Sequence, residues 1–145
     1  MTQEAENLPK GFYDAALARP EEPSKAALWT GWVLSALPAL FLLSGSVTAM
    51  MHSPQVVEGT AKLGYQASIL PVLGAIEFCC AVLYLIPRTA VLGALLLTAY
   101  CGGAVASHAR LGQAQWVVPV VFGAVVWAGL LLRRPGLRRV MVAGG

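Results

Sequence analysis

One carboxylate in this chain stands where carboxylates are rare. Glu77 falls at the middle of the apolar run Ser68–Ile86, which holds no other acidic or basic residue, and no Asp or Glu follows it from Phe78 to Gly145. Placing a charge half-way across a bilayer costs about 2.5–3.5 kcal/mol even on the lenient insertion scale. Such a residue needs a partner, a proton or a purpose. Desolvation favours the uncharged acid, which can give up a proton or bind a carbonyl-bearing ligand; the same acid can also simply bridge two helices. On a helix its face includes Leu73, Gly74, Cys80, Ala81 and Tyr84. Counting inward from the short Pro87-Arg88-Thr89 connection, Tyr100 reaches about the depth of Glu77 on the next span, so a Glu77–Tyr100 hydrogen bond is geometrically possible, the helical phase being left open.

A second polar layer lies nearer the outer ends of the spans. His108 and His52 fall there, close in depth to Glu58 and Arg110. They form either an ordinary interfacial cluster or a site for a quinone headgroup or another polar-tailed lipid. No His-x-x-x-His or Glu-x-x-His pair is present, so no metal is expected. Cys79, Cys80 and Cys101 make no Cys-x-x-Cys, which removes thioredoxin-like exchange and leaves them as small apolar fillers. Phosphate-binding loops, haem-attachment motifs and triad patterns are absent. The candidate catalytic residues are therefore Glu77, Tyr100 and His108; His52, Tyr84 and Arg110 are the candidate ligand contacts.

The elements that must position these residues are membrane spans. Hydrophobic residues make up 57% of the 145 and charged residues 12%, against about a quarter charged in soluble domains. Four apolar runs, Leu28–Met51, Ser68–Ile86, Ala90–Ala109 and Trp116–Leu132, approach the roughly 20 residues that cross a hydrocarbon core. The acidic first 25 residues lack the apolar stretch of a signal peptide and read as a loosely ordered tail, with a helical turn around Tyr13–Ala18. Lys10, Arg19, Lys25, Arg88, Arg133, Arg134, Arg138 and Arg139 fall on one side of the membrane, and only Lys62 and Arg110 on the other. That asymmetry places both termini in the cytoplasm. The net charge of +3 is thus a topology and lipid-headgroup signal, not one for nucleic acid.

Local signals fill in the connections. Ser24 caps span one, Trp29 and Trp32 anchor it at the interface, and Pro38 sits inside it. Its outer half, with Ser44, Gly45, Ser46 and Thr48, suits close packing or a cavity wall. Ser53-Pro54 opens a short amphipathic helix that Gly64 closes, lying at the outer interface. In span three Ala90, Ala94, Thr98, Gly102 and Ala106 form a small-residue stripe. The expected fold is an all-α transmembrane four-helix bundle with a short interfacial helix between spans one and two. Residues 1–25 and 135–145 are read as cytoplasmic tails, the second basic, around a membrane domain at 26–134.

These segments resemble the DoxX-like family of small four-span membrane proteins. The likeness is carried by Ala27–Ser35, Val56–Gly59, Leu63–Tyr65, Leu83–Gly93 and Tyr100–His108, and is most specific around Pro87-Arg88-Thr89. Glu77 and His108 stand where such proteins often carry a span-two glutamate and a span-three histidine. Thr48 and Ala49 occupy the region where many relatives have a lysine. The resemblance implies a bacterial inner-membrane protein with a redox-associated role, accessory to a larger oxidoreductase complex, and a quinone as the lipophilic ligand. Two other roles remain open. One is a stand-alone cyclase or isomerase using Glu77 as general acid; the other is a membrane chaperone or assembly factor using the small-residue stripe.

Overall fold

Ser24 opens the first helix as its type predicts, its Oγ accepting the Ala27 N–H at 3.2 Å. The computed structural model describes residues 24–143, so the expected N-terminal tail and its turn at Tyr13–Ala18 lie outside the described residues. Helix α1 is Lys25–Met50, α2 Pro54–Lys62, α3 Leu70–Leu85, α4 Ala90–Arg110, α5 Val117–Arg133 and α6 Pro135–Ala143. Single 3₁₀ turns at Ala67–Ile69 and Ala114–Trp116 lead into α3 and α5, and no strand occurs among the described residues. With those turns, α1, α3, α4 and α5 are each long and apolar enough to cross a membrane. The basic segment after the fourth span is itself helical, as α6.

Short connections set the topology. Between α3 and α4, Thr89 Oγ1 donates to Leu83 O at 2.8 Å and ties the hairpin down. Helix α1 packs against α3 and α5, and α4 closes the ring between them. Each span thus runs antiparallel to its two neighbours, with the start of α1, the α3–α4 turn and the end of α5 at one end, called here the terminal end. The core is built from Ala39 and Leu42 of α1, Cys80, Ala81 and Tyr84 of α3, Ala90, Ala94 and Leu97 of α4, and Val126 and Leu130 of α5. Outside, Trp29 (74% exposed), Phe41 (69%) and Val118 (65%) point away from it. In water this shell would aggregate; in a bilayer it is the lipid-facing surface.

Tyr84 is the central brace. It is fully buried, and its single hydroxyl proton is shared between Ser35 Oγ at 2.9 Å and Val126 O at 2.8 Å. Three helices are thereby joined through one phenol. Two glycines make its surroundings fit: a Cβ at Gly93 would collide with the Tyr84 backbone, and one at Gly129 would meet Ser35 Oγ at 2.6 Å. The small-residue stripe on α4 is split. Ala90 and Ala94 are buried in the bundle, whereas Thr98, Gly102 and Ala106 face outward. Thr98 is nonetheless engaged, accepting the Trp127 Nε1–H at 2.9 Å from α5.

Three outer turns share one geometry. After α2, the N–H groups of Gly64 and Tyr65 bond to Ala61 O and Thr60 O; after α4, those of Gly112 and Gln113 bond to Ala109 O and His108 O. After α1, His52 and Ser53 bond to Ala49 O and Thr48 O in the same way. Each is a Schellman cap, whose penultimate position needs a left-handed backbone. Gly64 (φ 83°) and Gly112 (φ 64°) supply it without strain; His52 (φ 52°) occupies it with a side chain.

Candidate functional site

Glu77 projects from the middle of α3 between two neighbours. Tyr100 OH on α4 donates to its Oε2 at 3.2 Å. Its Oε1 lies 3.4 Å from where a Cβ on Gly45 of α1 would be, so the missing side chain at Gly45 makes room for the carboxyl. The pair that shared depth along the α3–α4 hairpin makes possible is thus formed, and α1 packs beside the partly buried carboxyl. The other hydroxyls of this part of α1 are turned to their own helix: Ser44, Ser46 and Thr48 donate to Phe41 O, Leu43 O and Gly45 O. They relieve backbone carbonyls instead of lining a cavity.

Tyr100 and Ala104 form the wall between two crevices in the outer half of the bundle. One, about 340 Å³, lies among α1, α4 and α5 and is lined by Phe41, Leu42, His108, Gln115 and Phe122 besides Tyr100. The other, about 290 Å³, lies between α3 and α4 under α2, with Thr60, Leu63, Tyr65, Leu73 and Ser107 on its walls. Phe41 and Phe122 face each other at 6.0 Å between ring centroids, a tilted aromatic pair at the lipid side of the first crevice. His108 Nδ1 pairs with Gln113 Oε1 at 2.8 Å. With Nδ1–H as the donor, Nε2 is left as an acceptor. Glu77 lines neither crevice, whereas Tyr100, bonded to it, lines both.

The second crevice is roofed by α2, and two bonds hold the roof. Arg110 Nη2 donates to Leu63 O at 2.8 Å, placing a cation at the C-terminal end of α2, where the helix dipole favours it. Ser107 Oγ donates to Gly103 O at 2.8 Å, so the 2.8 Å contact between Tyr65 OH and Ser107 Oγ has the tyrosine as donor.

A family model described as the DoxX-like family matches residues 33–129. The chain belongs to the DoxX-like family. The match spans all four membrane helices, including Gly45, Glu77, Tyr100 and His108, and identifies a multi-pass integral membrane protein. No curated protein and no solved structure matches the chain.

Within this DoxX-like bundle the expected site residues separate into groups. Glu77, Tyr100 and His108 belong to one region, with Tyr100 and His108 on the same crevice wall. Arg110 secures α2 instead of joining a histidine cluster. His52 is exposed on the α1–α2 turn and lines neither crevice, and Glu58 is exposed on α2. The four-residue polar cluster expected at the bundle mouth thus does not assemble, because the Schellman cap turns His52 outward and Arg110 is spent on a backbone carbonyl. Among the described residues no group of three His, Cys, Asp or Glu could hold a metal. Tyr84 lies in the sealed core toward the terminal end. Cys80 and Cys101 are buried fillers, as expected, but Cys79 faces outward. Gln113, Gln115, Phe41 and Phe122 were not anticipated; Gln113 reaches His108 locally from the turn after α4, whereas only the packing of α1 and α5 on α4 brings the other three to the crevice.

Proposed function

We propose that this DoxX-like protein binds a lipid-soluble carbonyl compound of the quinone type in the crevice among α1, α4 and α5. The observation that carries the reading is Tyr100, which lines that crevice while its hydroxyl is bonded to the intramembrane carboxyl of Glu77. The donor set fits such a ligand. Phe41 and Phe122 offer ring faces, Gln115 an amide, and His108 an Nε2 acceptor for the hydroxyl of a reduced ring. A volume of 340 Å³ sits at the small end of ligand pockets, enough for a headgroup whose tail lies in lipid. When Glu77 carries a proton it can donate to the Tyr100 oxygen, freeing the phenolic O–H for a ligand carbonyl. The pair then passes a proton between the intramembrane acid and the crevice, with Tyr100 as the relay. When bound, a quinone supplies the electron-carrying chemistry; this chain's residues bind, orient and protonate.

In this reading the protein serves as an accessory subunit of a larger membrane oxidoreductase, in a bacterial inner membrane with the terminal end toward the cytoplasm. Tyr100 favours it over a stand-alone isomerase or cyclase, whose general acid has to touch substrate, because the crevices are lined by Tyr100 and not by Glu77. The test is titration of a short-tailed quinone into detergent-solubilised protein, followed by Trp fluorescence, with partner turnover measured in membranes. His108→Ala should weaken binding, and Glu77→Gln, which keeps an acceptor for Tyr100 but has no transferable proton, should depress turnover. If both variants leave binding and turnover unchanged, the reading is abandoned. Turnover of a lipophilic substrate by the purified protein alone, lost in Glu77→Gln, would establish the enzyme instead.

A further inference from the structure

Arg133, at the end of α5, has its guanidinium drawn against the bundle. Its stem lies against α1, where a Cβ on Gly31 would meet its Cγ at 2.9 Å. Its Cζ sits 4.6 Å from the ring centroid of Trp32 and 5.0 Å from that of Tyr84. The guanidinium is thus held between two aromatic faces, yet Nε and Nη2 are buried and hydrogen bond to nothing. Ring faces attract the charge but cannot accept in-plane N–H bonds, so the donor fork of a permanently charged group is left open. Among the described residues the acids are Glu58, on the outer loop, and Glu77, which lies two helical turns further into the bundle than Tyr84.

The surroundings say what would complete the fork. Leu28, Trp29 and Trp32 line an apolar crevice of about 540 Å³ on the lipid-facing side of α1, and Trp32 is 41% exposed. Helix α6 runs on from Arg134 with Leu137 packed on the core and Arg138 and Met141 exposed, the pattern of a segment at headgroup depth. Lys25 and Arg88 are exposed at the same end. A planar donor fork at this depth, beside an apolar groove and among the exposed cations Lys25, Arg88 and Arg138, matches a phosphodiester. We propose that Arg133, with Trp32 and Tyr84, forms a binding site for the phosphate of an anionic phospholipid in the leaflet facing the terminal end. The phosphate reaches Nε and Nη2 past the exposed edge of Trp32, which stays stacked on the guanidinium, and an acyl chain lies along Leu28 and Trp29. The site is separate from the Glu77–Tyr100 region and does not depend on the function proposed for it.

Native mass spectrometry of the full chain in neutral detergent, with phosphatidylglycerol or phosphatidylcholine added, tests this. Wild type should retain one phosphatidylglycerol in clear preference to phosphatidylcholine. Arg133→Gln should lower that retention about tenfold or more, the usual scale for losing a charge-assisted pair, and Arg133→Lys should fall between. Arg138→Gln should match wild type. Trp32→Ala, which keeps the charge but removes one wall, should also lose retention, and it decides the matter if Arg133→Gln does not fold. Equal losses in Arg138→Gln and Arg133→Gln would mean diffuse charge and overturn the site. So would undiminished retention in Trp32→Ala or Arg133→Gln, and displacement of the lipid by millimolar inorganic phosphate would reassign it to a soluble anion.

Discussion

Two tyrosines in neighbouring helices should respond to loss of their hydroxyls in opposite ways. Tyr84→Phe removes a proton shared between Ser35 Oγ and Val126 O, at 2.9 and 2.8 Å, in a site with no solvent access. Those contacts join α3 to α1 and α5, and no water can replace them. The expected cost is about 1–3 kcal/mol, the range for leaving buried polar groups unsatisfied. Tyr100→Phe removes one contact of 3.2 Å, longer than the 2.7–2.8 Å usual for O–H···O bonds, at a residue that borders two crevices. Its contribution should sit near the intramembrane average of about 0.6 kcal/mol. For ligand binding the order reverses. Tyr100→Phe deletes a polar contact on the crevice wall, worth about 0.5–1.5 kcal/mol or roughly 2- to 12-fold in affinity, whereas Tyr84→Phe should change affinity less than about twofold. Thermal unfolding in detergent, read by Trp fluorescence, and quinone titration of the same samples give both quantities. Should Tyr100→Phe prove the more destabilising change while binding survives intact, the Glu77–Tyr100 pair is a helix clamp and the ligand reading fails.

Three further outcomes are expected. Gly93→Ala should destabilise by about 1–3 kcal/mol through overpacking against the Tyr84 backbone, while Gly102→Ala, with nothing within 4 Å of its added methyl, should stay within about 0.5 kcal/mol; comparable melting shifts would contradict the packing described. His52→Gly should stabilise by about 1 kcal/mol by relieving a side chain from a left-handed cap, and quinone affinity should hold; a loss of affinity would return His52 to the site. Arg110→Ala should release the end of α2, seen as faster amide exchange over residues 54–64 with α4 unaffected; unchanged exchange would mean that the Tyr65–Ser107 contact alone holds the roof.

How far the residues foretold the site depends on which coordinate is asked for. Depth was legible. A short hairpin leaves two helices almost no freedom to slide, so rise per residue alone sets Glu77 level with Tyr100; their hydrogen bond needed the packing as well, to turn the two side chains toward each other. Caps were legible for the same local reason: Ser24, Pro54 and Gly64 act within a few residues of themselves. His52 escaped because nothing in a histidine announces a backbone position that glycine usually takes.

Azimuth was not legible, and the solvent explains why. In water a helix marks its inward face by apolarity, but here the lipid-facing and core-facing sides are both apolar. Leu97 is buried and Leu96 exposed, and Cys80 is buried beside an exposed Cys79, with no difference in chemical type to separate them. Close approach of helices is decided by shape, at Gly93 against Tyr84 and at Gly129 against Ser35, and shape belongs to two segments at once. Span number, end-to-end order and the depth of each polar group thus follow from the chain's local chemistry. Which faces meet was settled by packing alone: Phe41, Gln115 and Phe122 around Tyr100 and His108, and Arg133 between Trp32 and Tyr84.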